Sequence, residues 1–161
     1  MNFPMPVMEP CYFCQLARRE VDGWNLLIED PLTMTALNGR QYEAGQSLVF
    51  PRRHAPTLLD LTAQEAAAVM LAAKRVGAAI TRAFAPEALL LYQNNGSLGG
   101  QEVPHFHLHV VPRTRGSDWD MGPPNLARSQ AANRPPHLDH SVVTEGKLQN
   151  ARLLAEELGR S

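Results

Sequence analysis

The chain has few cysteines, no long apolar run and no excess of charge of either sign. Its longest apolar run, residues 66–73, is far shorter than the roughly 20 residues that cross a bilayer. The first ten residues contain three prolines and no basic residue, unlike a secretory signal. A formal net charge of -1 gives no general attraction to nucleic acid or to an anionic membrane. We therefore expect a cytoplasmic protein that binds neither.

The pattern of hydrophobic residues predicts an α+β fold. The 161 residues are 44% hydrophobic, which suffices for one domain with its own core. Strands are predicted at 24–29, 33–37, 47–50, 89–92 and 106–111, and helices at 62–84 and 144–158, the latter stopped by Gly159. This order predicts a mostly antiparallel sheet packed with one long helix, followed by an irregular C-terminal extension that ends in a helix.

The long helix is the most clearly marked element. Thr62 and Glu65 match the sequence pattern of a capping box, and apolar residues recur after them at helical spacing. From 114 to 140 the chain is instead rich in Pro, Gly and Asn, which predicts irregular structure. We expect residues 1–113 to form the main domain with its N-terminal lead, and residues 114–161 to form an extension packed on that domain.

Three histidines alternate with apolar residues near the end of the predicted domain. In a strand, His105, His107 and His109 share one face at a spacing of about 6.6 Å. Chance alternation and a three-histidine metal site are alternatives, although neighbours on one strand converge poorly on a single ion. A glycine-rich loop at residues 94–101 precedes them and can bring backbone N–H groups close to an anion. The combination favours a phosphate-handling site.

The two cysteines, Cys11 and Cys14, lie too close together to form a disulfide framework. Their spacing suits two corners of a tetrahedral zinc site, which needs two more ligands. His137 and His140 are one candidate pair of further ligands. A redox-active pair is a second alternative, although the βαβ context typical of such pairs is absent from the sequence around the cysteines. Two free, buried cysteines are a third.

The stretch 94–113 resembles the signature of the histidine-triad (HIT) superfamily, in which three histidines alternate with apolar residues. The resemblance covers roughly residues 11–113. It implies that His107 is a nucleophile that forms a nucleotidyl-phosphohistidine, which water then hydrolyses. It further implies that His109 contacts the α-phosphate or the leaving group, and that Asn38, Asn94 and Gln101 help to hold the nucleotide.

Zinc-bearing branches of this superfamily imply a specific ligand set. The positions that match those branches are Cys11, Cys14, His54 and His105. By this resemblance the ion is structural and closed, and it ties the N-terminus to the sheet. The small residues of the long helix permit close packing, either against a homodimer partner, as in HIT dimers, or against the chain's own sheet. Of these two we expect the homodimer.

The resemblance implies hydrolysis or transfer at a nucleotide α-phosphate, which releases a nucleoside monophosphate. The expected substrates are dinucleoside polyphosphates, which Mg²⁺ could accompany, or nucleoside phosphoramidates. His109 argues against the sugar-1-phosphate nucleotidyltransferase branch, which carries Gln at that position. Glu102 and Gln46 depart from the residues common in the family, Ser or Thr and His respectively. They keep open an alternative function, a nucleotide-binding regulatory protein with little turnover.

Overall fold

An antiparallel sheet of five strands is the centre of the fold. The computed structural model describes residues 3–115 and 142–160. The strands are β1 (Leu26–Glu29), β2 (Thr33–Leu37), β3 (Ser47–Pro51), β4 (Ala88–Tyr92) and β5 (Leu108–Arg113), and the helices are α1 (Tyr12–Ala17), α2 (Ala63–Phe84) and α3 (Glu145–Gly159). The strands lie in the order β1-β2-β3-β5-β4, so β5 occupies an interior position between β3 and β4. The predicted α+β architecture with its long helix and its C-terminal helix is confirmed.

Helix α2 begins and ends where its sequence predicts. Thr62 accepts a hydrogen bond from the backbone of Glu65, and the Glu65 carboxylate accepts one in return from the backbone of Thr62. The helix buries Val69, Val76 and Ile80 against the sheet, and each such side chain stabilises the fold by about 1.5–3 kcal/mol. Neither α2 nor any other helix in the described ranges combines the length and apolar character needed to cross a membrane.

Both faces of the sheet are covered, and they differ in chemistry. One face carries the main core under α2 and α3, built from residues that include Val49, Leu108 and Val110. On the opposite face α1 packs Phe13 and Leu16 onto side chains of β2 and β3, namely Met34, Ala36, Leu48 and Phe50. Because neighbouring residues of a strand point to opposite faces, His107 and His109 share this second face.

The last strand differs from its predicted bounds of 106–111. The backbone N–H of Phe106 donates to the carbonyl of Ala55 rather than to a neighbouring strand, so the ladder begins only at Leu108. Pro112, just beyond the predicted bounds, lies inside the strand. Pairing with β3 stops at Val110, so β5 is bonded on one side only at Pro112, where a missing N–H is tolerated.

The C-terminal helix shares the core of α2. Ala151, Leu154 and Leu158 are buried in the same cluster as the sheet side chains. Thr144 caps the helix by accepting from the backbone of Lys147, and Gly159 is its last residue rather than a stop beyond it. The predicted irregular segment lies outside the described residues except at 114–115, as do His137 and His140. The division of the chain at residue 113 stays a prediction.

The small residues of α2 face the chain's own sheet where they are buried. Ala73 is 2% exposed, Ala79 is completely buried, and Gly77 lies so close to Leu89 that an added Cβ would be 3.3 Å from it. These contacts explain the buried small residues without a second chain, whereas Ala67 and Ala78 are exposed. The homodimer stays a prediction.

An ion pair anchors the loop that follows β3 to α2. Arg53 donates to both carboxylate oxygens of Glu65, at 2.9 and 2.7 Å. This hydrogen-bonded pairing is the main cause that lowers the pKa of Glu65 from 4.5 to about 2; burial opposes it and the hydrogen bonds from Thr62 add to it. The contact holds the backbone immediately before His54.

We predict that Glu65→Gln lowers the free energy of unfolding at pH 7 by about 1–2 kcal/mol, because it removes one ionised partner and weakens the cap. A lowered carboxyl pKa adds stability above the unfolded-state value, and that stability is lost as pH falls. The difference in free energy of unfolding between wild type and variant should therefore become smaller as the pH falls from 4.5 towards 2. Urea unfolding across this range measures it. Glu156→Gln, at an exposed position of α3, is the matched control, and a constant gap would contradict the prediction.

Candidate active site and metal centre

His107 lies on the sheet face that α1 partly covers. Its ring centroid is 5.1 Å from that of Phe13 and 5.0 Å from that of His109. The Nδ1 atom of His107 is 2.7 Å from the carbonyl oxygen of His105. Since a carbonyl only accepts, Nδ1 carries the proton in this bond and Nε2 keeps its lone pair. Burial lowers the pKa of His107, which favours the neutral, nucleophilic imidazole.

His109 stacks on an aromatic ring of the neighbouring strand. Tyr92 is its cross-strand partner, and the two ring planes are nearly parallel at 5° with centroids 4.2 Å apart. Burial lowers the pKa of His109 well below its usual value, and the nearby His107 and Arg40 lower it further. Its buried Nδ1 atom has no hydrogen-bond partner among the described residues. A polar group of this kind is available to a ligand.

The glycine-rich loop before the triad is held by two amide side chains. Asn94 donates to the carbonyl of Gly100 at 3.1 Å. Gln101, which is 4% exposed, accepts from the backbone of Gly96 at 2.8 Å, and its NH₂ group donates to two backbone carbonyls, of Pro56 and Val103. Gly96 and Gly100 have φ of 79° and 84°, which suit glycine. Asn94 and Gln101 therefore shape the loop through their own hydrogen bonds.

Asn38 shapes the connection between β2 and β3. Its backbone N–H donates to Gln46 at 2.8 Å, and its side-chain oxygen accepts from the backbone of Arg40 at 3.1 Å. The side chain of Arg40 then reaches Glu102, with 2.8 Å between Nη1 and Oε2. The carboxylate at this departure from the family pattern is thus paired with a cation beside the histidines.

Gln46, the second departure, is completely buried. Neither its side-chain oxygen nor its side-chain nitrogen has a hydrogen-bond partner within the described ranges. A buried amide without partners is costly, so this one is a candidate to bind water or a polar ligand.

Four metal-ligating side chains converge beside the triad. The donor atoms of Cys11, Cys14, His54 and His105 all lie within 4.8 Å of one another. The Sγ atom of Cys14 is 3.2 Å from Nδ1 of His54 and 3.6 Å from Nδ1 of His105. A tetrahedral zinc ion with bonds of about 2.0–2.3 Å separates its ligand atoms by about 3.3–3.8 Å. The separations between Cys14 and the two histidines are thus close to those of a zinc site, and all four donor atoms converge within 4.8 Å.

The protonation of His105 also suits a metal. Its Nε2 atom is 2.9 Å from the carbonyl of Pro51, so Nε2 donates and Nδ1 offers its lone pair to the cluster. Burial lowers the pKa of His105 to about 4, which keeps the ring neutral. Without a cation, burial and the neighbouring Cys11 raise the pKa of Cys14 to about 11. A bound cation would favour the thiolate.

Sequence reasoning missed two neighbours of the triad, Arg40 and Tyr92. Arg40 stands two residues after Asn38, and its role depends on a pairing across two loops. Tyr92 was placed in a strand, but its stack on His109 follows from the register between β4 and β5. Strand register is a tertiary property, so no local signal identifies either residue.

The sequence around the histidines matches a known protein family. A sequence profile of the HIT domain matches residues 19–116, which include the whole triad and the glycine-rich loop. The chain belongs to the HIT domain family. The profile match excludes Cys11, Cys14 and α3, so half of the metal cluster lies outside the region that defines the family.

Curated HIT relatives include several hydrolases. A bifunctional bis(5'-adenosyl)-triphosphatase/adenylylsulfatase of Arabidopsis thaliana is 34% identical over 101 residues, which make up 63% of this chain and 56% of the relative. An adenylylsulfatase of the same plant is 32% identical over 64% of this chain and 52% of its own length. The chain thus spans about half the length of these two relatives. An adenosine 5'-monophosphoramidase of Schizosaccharomyces pombe is 30% identical over 64% of this chain and 74% of its own length.

Solved HIT structures share the fold. A hypothetical histidine triad nucleotide-binding protein from Sulfolobus tokodaii superposes with a TM-score of 0.74 at 23% identity, covering 93% of each chain. A Zn-bound histidine triad family protein from Mycobacterium smegmatis superposes with a TM-score of 0.72 at 24% identity, covering 94% of each chain. At these identities the likeness shows a common HIT architecture.

The hydrogen bonds of Gln101 lead to a prediction about this HIT loop. We predict that Gln101→Leu lowers the free energy of unfolding by about 2–3 kcal/mol, because buried partners of the amide lose their bonds. Hydrogen exchange at the Gly96 amide should accelerate in the same variant. Gln149→Leu, at an exposed position of α3, is the matched control. Equal effects of the two substitutions would contradict the assigned role of Gln101.

Proposed function

We propose that this protein cleaves nucleotides at the α-phosphorus through a phosphohistidine on His107 and releases a nucleoside monophosphate. One observation carries the proposal. The bond from Nδ1 of His107 to the His105 carbonyl leaves Nε2 as the atom with a free lone pair. A neutral imidazole held in this tautomer is ready to attack phosphorus.

The reaction has two displacement steps. In the first, Nε2 of His107 forms a bond to the α-phosphorus, and the bond from phosphorus to the leaving oxygen or nitrogen breaks with its electron pair; a leaving amine also takes a proton. In the second, water forms a bond to phosphorus, gives up a proton and displaces His107. Two attacks by good nucleophiles replace one direct attack by water on a charged phosphate.

Other described groups supply binding and charge stabilisation. We assign nucleotide contacts to His109, Asn38, Asn94 and Gln101, with His109 acting through its unpartnered Nδ1 atom. Because the side chains of Asn94 and Gln101 are bonded within the loop, their contribution is to present backbone donors to the phosphates. Asn38 acts in a similar way by holding the backbone of Arg40.

The substrate classes follow from chemistry and from the relatives. The named activities of those relatives cleave diadenosine triphosphate, adenylyl sulfate and an adenosine phosphoramidate. All three carry a nucleoside on the attacked phosphate and differ in the leaving group. We therefore propose dinucleoside polyphosphates or nucleoside phosphoramidates as substrates. A requirement for Mg²⁺ with a polyphosphate stays a prediction.

A nucleotide-binding regulatory protein with little turnover is the second candidate. The observation that favours it is the Glu102 carboxylate beside the triad, together with the unpartnered amide of Gln46. A carboxylate near the reaction centre opposes developing negative charge, whereas a buried amide can still bind a nucleotide.

We predict that His107→Ala lowers kcat/KM for adenosine 5'-phosphoramidate and for diadenosine triphosphate at least about a thousandfold, because the nucleophile is lost. Turnover is measured with and without Mg²⁺, and thermal unfolding checks that the variant folds. Mass spectrometry of the wild type, quenched and kept at alkaline pH because the P–N bond is acid-labile, should find a nucleotidyl group on the tryptic peptide that contains residue 107. Wild-type binding of AMP without label or turnover would favour the regulatory candidate.

We further propose that Cys11, Cys14, His54 and His105 bind a structural zinc ion. The support is the convergence of four zinc-type donor atoms within 4.8 Å of one another and the hydrogen bond from His105 to Pro51, which directs Nδ1 into the cluster. Such an ion would tie α1 to β3 and to the triad segment. It would leave the phosphoryl chemistry to His107.

We predict about one zinc per chain by elemental analysis and its loss in Cys14→Ser, with a fall in Tm of about 5 °C or more because metal binding is coupled to folding. The double variant His137→Ala/His140→Ala is the matched control, since it removes the rival ligand pair. Zinc loss from this control would overturn the assignment of His54 and His105, and zinc retention in Cys14→Ser would overturn the assignment of the cysteines.

A further inference from the structure

An ion pair connects the two loops that flank the candidate active site. Arg40 lies in the connection between β2 and β3, and Glu102 follows Gln101 at the end of the glycine-rich loop. The Nη1 and Oε2 atoms are 2.8 Å apart. The Arg40 side chain is 20% exposed and that of Glu102 is 41% exposed. The pair is therefore partly shielded from solvent on its cationic side and open on its anionic side.

The ion pair lies at the end of the sheet where the triad lies. The connection that holds Arg40 ends at Ser47, which pairs with Val110, and the next residue, Leu48, pairs with His109. Glu102 stands three residues before His105, the first histidine of the triad. In agreement with this placement, although burial has the larger effect on both rings, the charge of Glu102 raises the pKa of His107 and that of Arg40 lowers the pKa of His109. The ion pair therefore lies beside the candidate active site.

A charge in this position discriminates between leaving groups. When the bond from phosphorus to oxygen breaks, negative charge grows on a polyphosphate or sulfate, and the carboxylate repels it. When the bond from phosphorus to nitrogen breaks, the amine takes the electron pair and a proton from solvent, so its N–H groups can donate to the carboxylate. An anionic leaving group must also compete with Glu102 for Arg40.

We propose that Arg40 and Glu102 select substrates by the charge of the leaving group, so that the protein prefers nucleoside phosphoramidates to substrates with an anionic leaving group. This inference rests on the proposed function. Arg40 offsets the charge of Glu102 and thereby limits the repulsion. Removing either partner should therefore shift the preference, and in opposite directions.

The test compares adenosine 5'-phosphoramidate with adenylyl sulfate, which share the attacked adenosine 5'-phosphoryl group. The readout is the ratio of the two kcat/KM values for one preparation, in which the fraction of folded enzyme cancels. Glu102→Gln should shift the ratio about tenfold towards adenylyl sulfate, the size of effect that a charge several ångströms away produces. Arg40→Gln should shift it towards the phosphoramidate.

A second ion pair supplies matched controls. Glu145 and Arg152 are paired at 3.5 Å on α3, which packs on the opposite face of the sheet, and both are well exposed. Glu145→Gln and Arg152→Gln should leave the ratio unchanged. Shifts in opposite directions at Glu102 and Arg40 support the proposal, because a purely structural tie between the loops would move both variants in the same way.

Two failures are distinguishable. Turnover by the wild type, with the same ratio in Glu102→Gln and Arg40→Gln as in the controls, overturns the leaving-group assignment and leaves the proposed function standing. No turnover of either substrate by the wild type overturns the proposed function, and the assignment with it.

Discussion

His105 is bonded through its ring and through its backbone, and these bonds join three parts of the molecule. Its Nε2 atom donates to the carbonyl of Pro51 at the end of β3, which leaves Nδ1 directed at the two cysteines and His54. Its own carbonyl accepts from Nδ1 of His107 and thereby sets which nitrogen of that ring can react. Because the ring is completely buried, none of these partners can be replaced by water without opening the core. The candidate metal cluster and the candidate nucleophile, His107, therefore both depend on His105.

The sheet separates the main hydrophobic core from the candidate active site. On the side of α2 and α3, close-packed aliphatic residues form the main core, and the α2 cap and its ion pair with Arg53 brace the loop that leads to His54. On the other side, α1 buries Phe13 and Leu16 but leaves His107 and His109 half-buried. Partial burial keeps the imidazoles neutral, because the charged form loses more solvation than the neutral form. The close-packed core on one face thus supports the candidate catalytic histidines on the other.

Polar groups around the triad divide into those that hold the backbone and those that remain available. Asn94 and Gln101 have hydrogen bonds within the loop, and Asn38 holds the backbone of Arg40. Gln46 and Nδ1 of His109 are buried without partners in the described residues, and such groups are where a polar ligand gains most. The family resemblance treats several of these positions alike, as nucleotide contacts. Their hydrogen bonds assign them different tasks.

Local patterns in the sequence were enough to predict the α+β class, β2 with its correct bounds, the α2 helix with its capping box, and the alternation that separates the histidines from Phe106, Leu108 and Val110. These features depend on residues close together in the chain, whose periodicity and hydrogen-bonding capacity are local. The four donors of the candidate metal cluster and the roles at the triad were assigned by resemblance to the family. Only the tertiary structure showed that the four donors converge, that β5 extends through Pro112, that Tyr92 stacks on His109 and that Arg40 pairs with Glu102. Each of these arises between segments far apart in sequence, where strand register and loop path, rather than local preference, decide which side chains meet.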